Sequence, residues 1–115
     1  MSAVVSALRP LKHYVWGEGC DGWNLVDTPE LSVKQERMPP HTAEAEHYHR
    51  VARQFFFILE GTAVFELSGG RVEVGAREGF EIAPGLAHRI LNESEVDLVV
   101  VLCSQPSTAN DRILI

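Results

Sequence analysis

The sequence predicts an all-β domain, a small sandwich or barrel built from at least six short strands. Three observations predict it. From Leu25 onward, runs rich in β-branched and aromatic residues alternate with turn residues. No segment holds a helical period through three turns. A glycine pair, Gly69-Gly70, sits between two alternating runs, where a tight hairpin needs positive φ. Short strands so closely spaced in one small chain fit a closed or double-layered β architecture.

Taken in order, residues 1–24 differ from the rest. "HYVWGEGCDGW" is aromatic and glycine-rich with little period, and is expected to be an arm or lid over one end of the barrel or across a partner subunit. "LSVKQERM" (31–38) alternates and reads as a strand, so Glu36 and Arg37 face opposite ways. "PPHTAEAE" (39–46), opened by two prolines, reads as a loop. "EHYH" starts a strand, and "QFFFILE" (54–60) is a long one ending at Gly61. "TAVFELSGGRVEVG" (62–75) is the hairpin. "GFEIAPGLAHRILN" (79–92) holds two strands around a Pro-Gly turn, and "DLVVVLCS" (97–104) is the last and most buried strand. The barrel is thus expected over 25–105, with 106–115 a tail.

At 115 residues, 45% apolar and 23% charged, the chain is one domain with enough residues for a core. Sixteen acidic against ten basic residues, with no basic cluster, argue against a nucleic-acid partner. The longest apolar run, "LVVVLC", is too short to cross a bilayer, and the opening residues lack the apolar core of a signal peptide. Cys20 and Cys103 show no metal or disulfide spacing. A cytoplasmic protein without a membrane role is the expectation. Cys103 is expected to be a small buried hydrophobe.

The chemistry is expected at "EHYHRVARQFFFILEG". Side chains alternate faces along a strand, so His47 and His49 share a direction, as do Gln54, Phe56 and Ile58. Phe55, Phe57 and Leu59 take the other face and need a cover. Two histidines at that spacing suit a metal site, a polar corner of a core, or a solvated strand end. A third, His88, follows the turn at Pro84-Gly85 and adds weight to the first. Three neutral imidazoles and one oxygen donor hold a divalent transition metal with open positions, and Gln54 supplies the oxygen. The pattern does not separate Mn, Fe, Ni, Zn and Cu. His41 reads as an exposed loop residue, Tyr48 and Arg89 as outward-facing, and Trp16 and Trp23 as packing against the barrel. His13 has no evident partner.

These residues resemble the two motifs of the cupins. The first, Gly-x5-His-x-His-x(3–4)-Glu-x6-Gly, falls on His41, His47, His49, Gln54 and Gly61; the second, Gly-x5-Pro-x-Gly-x2-His-x3-Asn, ends on Gly85, His88 and Asn92. Four positions depart: His41 and Arg77 stand for the opening glycines, Gln54 for Glu, and Ala83 for Pro. The resemblance implies a double-stranded β-helix, or jelly roll, with one divalent metal held by His47, His49, Gln54 and His88, and a homodimer. It also implies isomerase, lyase or dioxygenase chemistry on a small organic molecule. The same ligand set occurs in similar cupins that ketonise unsaturated sugar acids and in manganese-dependent lyases. An amide leaves the full +2 charge on the site, which favours an anionic substrate. The other class of function is a module that binds or senses a small ligand without turnover.

Overall fold

The computed structural model describes residues 3–115, and all of its regular structure is β. The strands are β1 (Lys12–Trp16), β2 (Cys20–Asp27), β3 (Ser32–Met38), β4 (Thr42–Ala43), β5 (His47–Tyr48) and β6 (Arg53–Glu60). There follow β7 (Thr62–Leu67), β8 (Gly70–Gly75), β9 (Gly79–Ile82), β10 (His88–Asn92), β11 (Leu98–Gln105) and β12 (Ile113–Leu114). One sheet runs β1-β2-β3-β11-β6-β9 and the other β12-β5-β10-β7-β8, with β4 also on β10. Neighbours in the two sheets pair antiparallel, in the double-stranded β-helix arrangement.

Strand β6 shows how the sequence pattern becomes a layer. Gln54, Phe56 and Ile58 are buried toward the other sheet, while Phe55, Phe57 and Leu59 stand on the outside at 43%, 37% and 41% exposure. Its partner β11 alternates in phase, burying Leu98, Val100, Leu102 and Ser104. Between the layers Phe65 is fully buried, edge-on to Phe56 at 5.0 Å between ring centroids and 4.8 Å from Phe80. Aromatic pairs at that spacing add to the area they bury. Cys103 falls on the outer face beside Phe55 and is half-buried, not the buried hydrophobe expected, because the phase of β11 gives the interior to its neighbours.

Three segments belong to the sheets more fully than the sequence pattern suggested. Residues 12–27 form the hairpin β1–β2, and β2 runs along β3 from Asp21↔Arg37 to Asp27↔Ser32, so the boundary drawn at residue 24 falls inside a strand. His13 has partners there: Asp21 at 3.1 Å and the Trp23 ring. The tail returns as β12 to pair with β5. Within the expected loop at 39–46, Thr42 and Ala43 pair with β10. The hairpin turn lies at Ser68-Gly69, where Gly69 has φ 88° and Gly70 already opens β8.

Both positions that lack the motif glycine keep a left-handed backbone. His41 has φ 60° and Arg77 φ 68°, a region that costs a residue with a Cβ about 1–2 kcal/mol. The prolines nearby do not remove the need for that conformation.

Candidate metal centre

A turn and a register bring the three imidazoles together. Gly85, at φ 82°, donates its N–H to the His49 carbonyl at 2.6 Å, which pins the Pro84-Gly85 turn against the first histidine segment. Strand β10 then starts with His88 directly opposite His47. The ring centroids of His47, His49 and His88 lie 4.5–5.7 Å apart, and one ligating atom from each falls within 4.8 Å of the others. All three residues are buried, at 3%, 4% and 0% exposure.

Each ring is held by the nitrogen that points away from the cluster. The Nδ1–H of His47 donates to the Ala45 carbonyl at 2.8 Å, that of His49 to Asp111 at 2.6 Å, and that of His88 to Leu86 at 2.8 Å. A carbonyl only accepts, so it fixes the proton on Nδ1 and leaves the Nε2 lone pair facing the shared space. Gln54 is oriented the same way: its amide N–H donates to Ser104 Oγ at 3.1 Å, which turns Oε1 inward. His49 Nε2, His88 Nε2 and Gln54 Oε1 are buried with no hydrogen-bond partner. Buried polar atoms are ordinarily paired, so three in one cluster mark a place built for something else.

Burial favours the neutral form of two of these rings, His47 and His88. Burial, with His88, Arg112 and His49 nearby and the bond to Ala45 opposing, brings the His47 pKa down to about 4. Burial likewise lowers that of His88. A neutral imidazole is the form that ligates. The donor set, three imidazole nitrogens and one amide oxygen, fits a divalent transition ion.

Around the rings lies a cavity of about 110 Å³ whose charged lining comes from Lys34, Glu36, Glu44 and Arg112. Of the pair on β3, Glu36 takes the inside, where Tyr14 O–H donates to it, and Arg37 binds Asp21 at 3.0 Å on the outside. Burial raises the pKa of both Tyr14 and Glu36. Glu44 Oε1 accepts from the Ile90 N–H at 3.2 Å and lies 4.0 Å from His47 Nε2. Burial first, then Glu36, pushes its pKa up to about 8. Among the described residues, neither Lys34 nor Arg112 has an ion-pair partner.

The four residues expected from sequence, His47, His49, Gln54 and His88, thus meet at one place. His41 is exposed beside Glu95, and Arg89 pairs with Glu66 at 2.6 Å, both away from the cluster. Asn92, at the end of the second motif, clamps a loop instead, donating to the Met38 and Val96 carbonyls. Sequence reasoning missed Glu44, Arg112 and Asp111. Besides holding His49, Asp111 accepts from the backbone N–H groups of Arg50, Val51 and Ala52 at 2.8–3.1 Å, which bonds lower its pKa. The available signal was "DRILI", a charged pair before a short apolar run at the tail.

Known proteins agree with this architecture. The chain is 25% identical over 88 residues to uncharacterized protein MJ1618 of Methanocaldococcus jannaschii, covering 76% of this chain and 70% of that one. It is 29% identical over 69 residues to the tetracenomycin polyketide synthase protein TcmJ of Streptomyces glaucescens, 60% of this chain and about half the length of TcmJ, at 46%. The structure of the polyketide cyclase RemF from Streptomyces resistomycificus superposes with a TM-score of 0.81 at 17% identity, over 93% of this chain and 81% of that one. Residues 34–104 match the family model described as the cupin domain, which is more than half of the chain. Motif spacing, sheet topology and family model coincide, and the chain belongs to the cupin domain family.

Proposed function

We propose that this cupin holds one divalent transition metal through His47, His49, His88 and Gln54 and acts on a small anionic organic molecule, by isomerase, lyase or dioxygenase chemistry. The observation that carries the reading is the set of inward-facing, unpartnered donor atoms whose outer atoms are each fixed by a hydrogen bond. When bound, such an ion supplies Lewis-acid polarisation of a substrate oxygen. The chain's own residues do the rest. Gln54 adds no negative charge, so the site keeps its attraction for an oxyanion. Lys34 and Arg112, free of ion pairs among the described residues, add to that attraction from the cavity wall. Glu44, beside His47, is the carboxyl group placed to carry a proton to or from a ligand in the cavity. Resemblance to TcmJ, a protein of polyketide synthesis by name, supports an enzyme over a passive binder.

A second copy of the chain is our proposed cover for the outer face of Phe55, Phe57 and Leu59. Metal analysis tests the central reading. Protein purified without a histidine tag is expected to carry about one first-row divalent ion per chain, and Gln54→Glu to bind small carboxylates about tenfold more weakly. Wild-type protein that takes up no ion from Mn, Fe(II), Ni, Cu or Zn solutions contradicts it.

A further inference from the structure

The geometry points to an outer chamber as the seat of the substrate's body: we propose that the ligand joins an oxyanion head, placed at the imidazoles, to a planar apolar ring lodged against Tyr14 and Trp16. The inference rests on the metal-centre reading above and goes beyond it by assigning a second binding region and the kind of group it takes.

The inner cavity is too small for a whole substrate. Its volume of about 110 Å³ suits a carboxylate and an adjoining hydroxyl, since one water occupies about 30 Å³ of liquid. Sites for organic ligands commonly reach about 300 Å³ or more. A second cavity, of about 370 Å³, lies between the end of β1 and the β4–β5 connection. Glu36, Glu44 and Arg112 line both cavities, so the two lie against each other across these side chains, and we take that boundary as the neck through which the ligand reaches.

Chemistry differs on the two sides of that neck. Toward the imidazoles every feature suits an oxygen ligand. On the outer side the lining beyond the neck consists of Tyr14, Trp16, Gly17, Ala43 and Ala45. The Tyr14 hydroxyl is spent on Glu36, and Trp16 Nε1 is buried away from the accessible surface, so the side chains beyond the neck present no free donor. A polyol body needs a partner for most of its hydroxyls and finds polar side chains only at the neck, in Arg112, Glu36 and Glu44. A flat hydrocarbon ring needs apolar area, which the indole and the two alanines offer. Trp16 is also backed by the core, so its ring is supported rather than loose. At the neck, Arg112 has no ion-pair partner among the described residues and faces two carboxyl groups, Glu36 and Glu44.

Three 2-hydroxy acids with one head and different tails test the assignment: glycolate, mandelate with its phenyl ring, and gluconate with its polyol chain. Titration calorimetry on the full chain loaded with Mn or Zn is expected to show mandelate binding about tenfold or more tighter than glycolate, with gluconate close to glycolate. Ala43→Leu, which fills the outer chamber, is expected to erase the phenyl advantage and leave glycolate as it was. Trp16→Leu should reduce the advantage too, and Ala43→Leu covers the case in which that variant fails to fold. Mandelate binding no tighter than glycolate, a larger gain for gluconate, or a phenyl advantage that survives Ala43→Leu overturns the chamber assignment alone. Loaded protein that binds none of the three overturns this assignment together with the proposed function.

Discussion

Strands β6 and β11 run the length of the barrel and finish its two ends differently. At one end they bury Ile58, Val100 and Leu98 near Ala63 and Phe65, a group with no polar atom to satisfy. At the other they bury Gln54 and Ser104 beside His49 and His88, where Gln54 and the two histidines are each tied down by one atom and leave another unpaired. Alternation along a strand decides only which face a residue takes. Position along the same face decides whether burial stabilises the fold or is held against its own cost for the sake of a ligand.

The largest expected effect exposes that contrast directly. Phe65→Ala at the apolar end should cost about 3–5 kcal/mol of folding stability, measured by urea denaturation, because it opens a cavity among Phe56, Phe80 and the strands. His88→Leu in metal-free protein should cost far less, about 0–2 kcal/mol, since the lost bond to the Leu86 carbonyl is offset by removal of a buried nitrogen that has no partner. That variant should also lose the ion. A large loss of metal-free stability in His88→Leu would erase the distinction between the two ends.

The next effect is pH dependence, and two opposite slopes meet at the imidazole end. His47 has a folded pKa of about 4, below its unfolded value near 6.5, so its share of stability is complete above pH 6.5 and is lost as pH falls toward 4. Glu44 has a folded pKa of about 8, above its unfolded value near 4.5, so its share is complete in acid and is lost as pH rises from 4.5 through 8. Between about pH 5 and 6.5 the two offset one another. Above that range, chelator-treated wild type should lose stability on the order of 1 kcal/mol per pH unit up to pH 8. Glu44→Gln should reduce this loss, leaving the share of buried Glu36, and steepen the fall on the acid side. Parallel curves for the two proteins would show that Glu44 does not titrate as the geometry requires.

How much of this was legible in the sequence depends on the reach of each interaction. The period of two in "QFFFILE" and the motif spacing around His47, His49 and His88 are local, and they placed the layer and the histidines that cluster inside it. The turn at Pro84-Gly85 is local too, though its bond to His49 is not. What holds His49 in place comes from Asp111, 62 residues on, and no local pattern announces a carbonyl. The β1–β2 hairpin was hidden for another reason. Its glycines interrupt alternation, and a Cβ at Gly22 would run into the Tyr14 ring, which would have to swing aside. Arg112 and Glu44 lie outside the motif's ligand positions, so the wall of the cavity could be read only from coordinates.

The smallest effect concerns the strained turns rather than the lumen. His41→Gly and Arg77→Gly should each raise stability by up to about 1 kcal/mol, because glycine relieves the left-handed backbone at no steric cost. Neither change should alter metal content, and a shift in it would tie these surface turns to the imidazole end.

Anomalous X-ray scattering from crystals grown with a single transition metal tests the central claim most directly. The account predicts one peak per chain at about 2.0–2.2 Å from His47, His49 and His88 Nε2 and from Gln54 Oε1. A peak bound elsewhere on the chain, or one that any of the three imidazoles fails to reach, would contradict it.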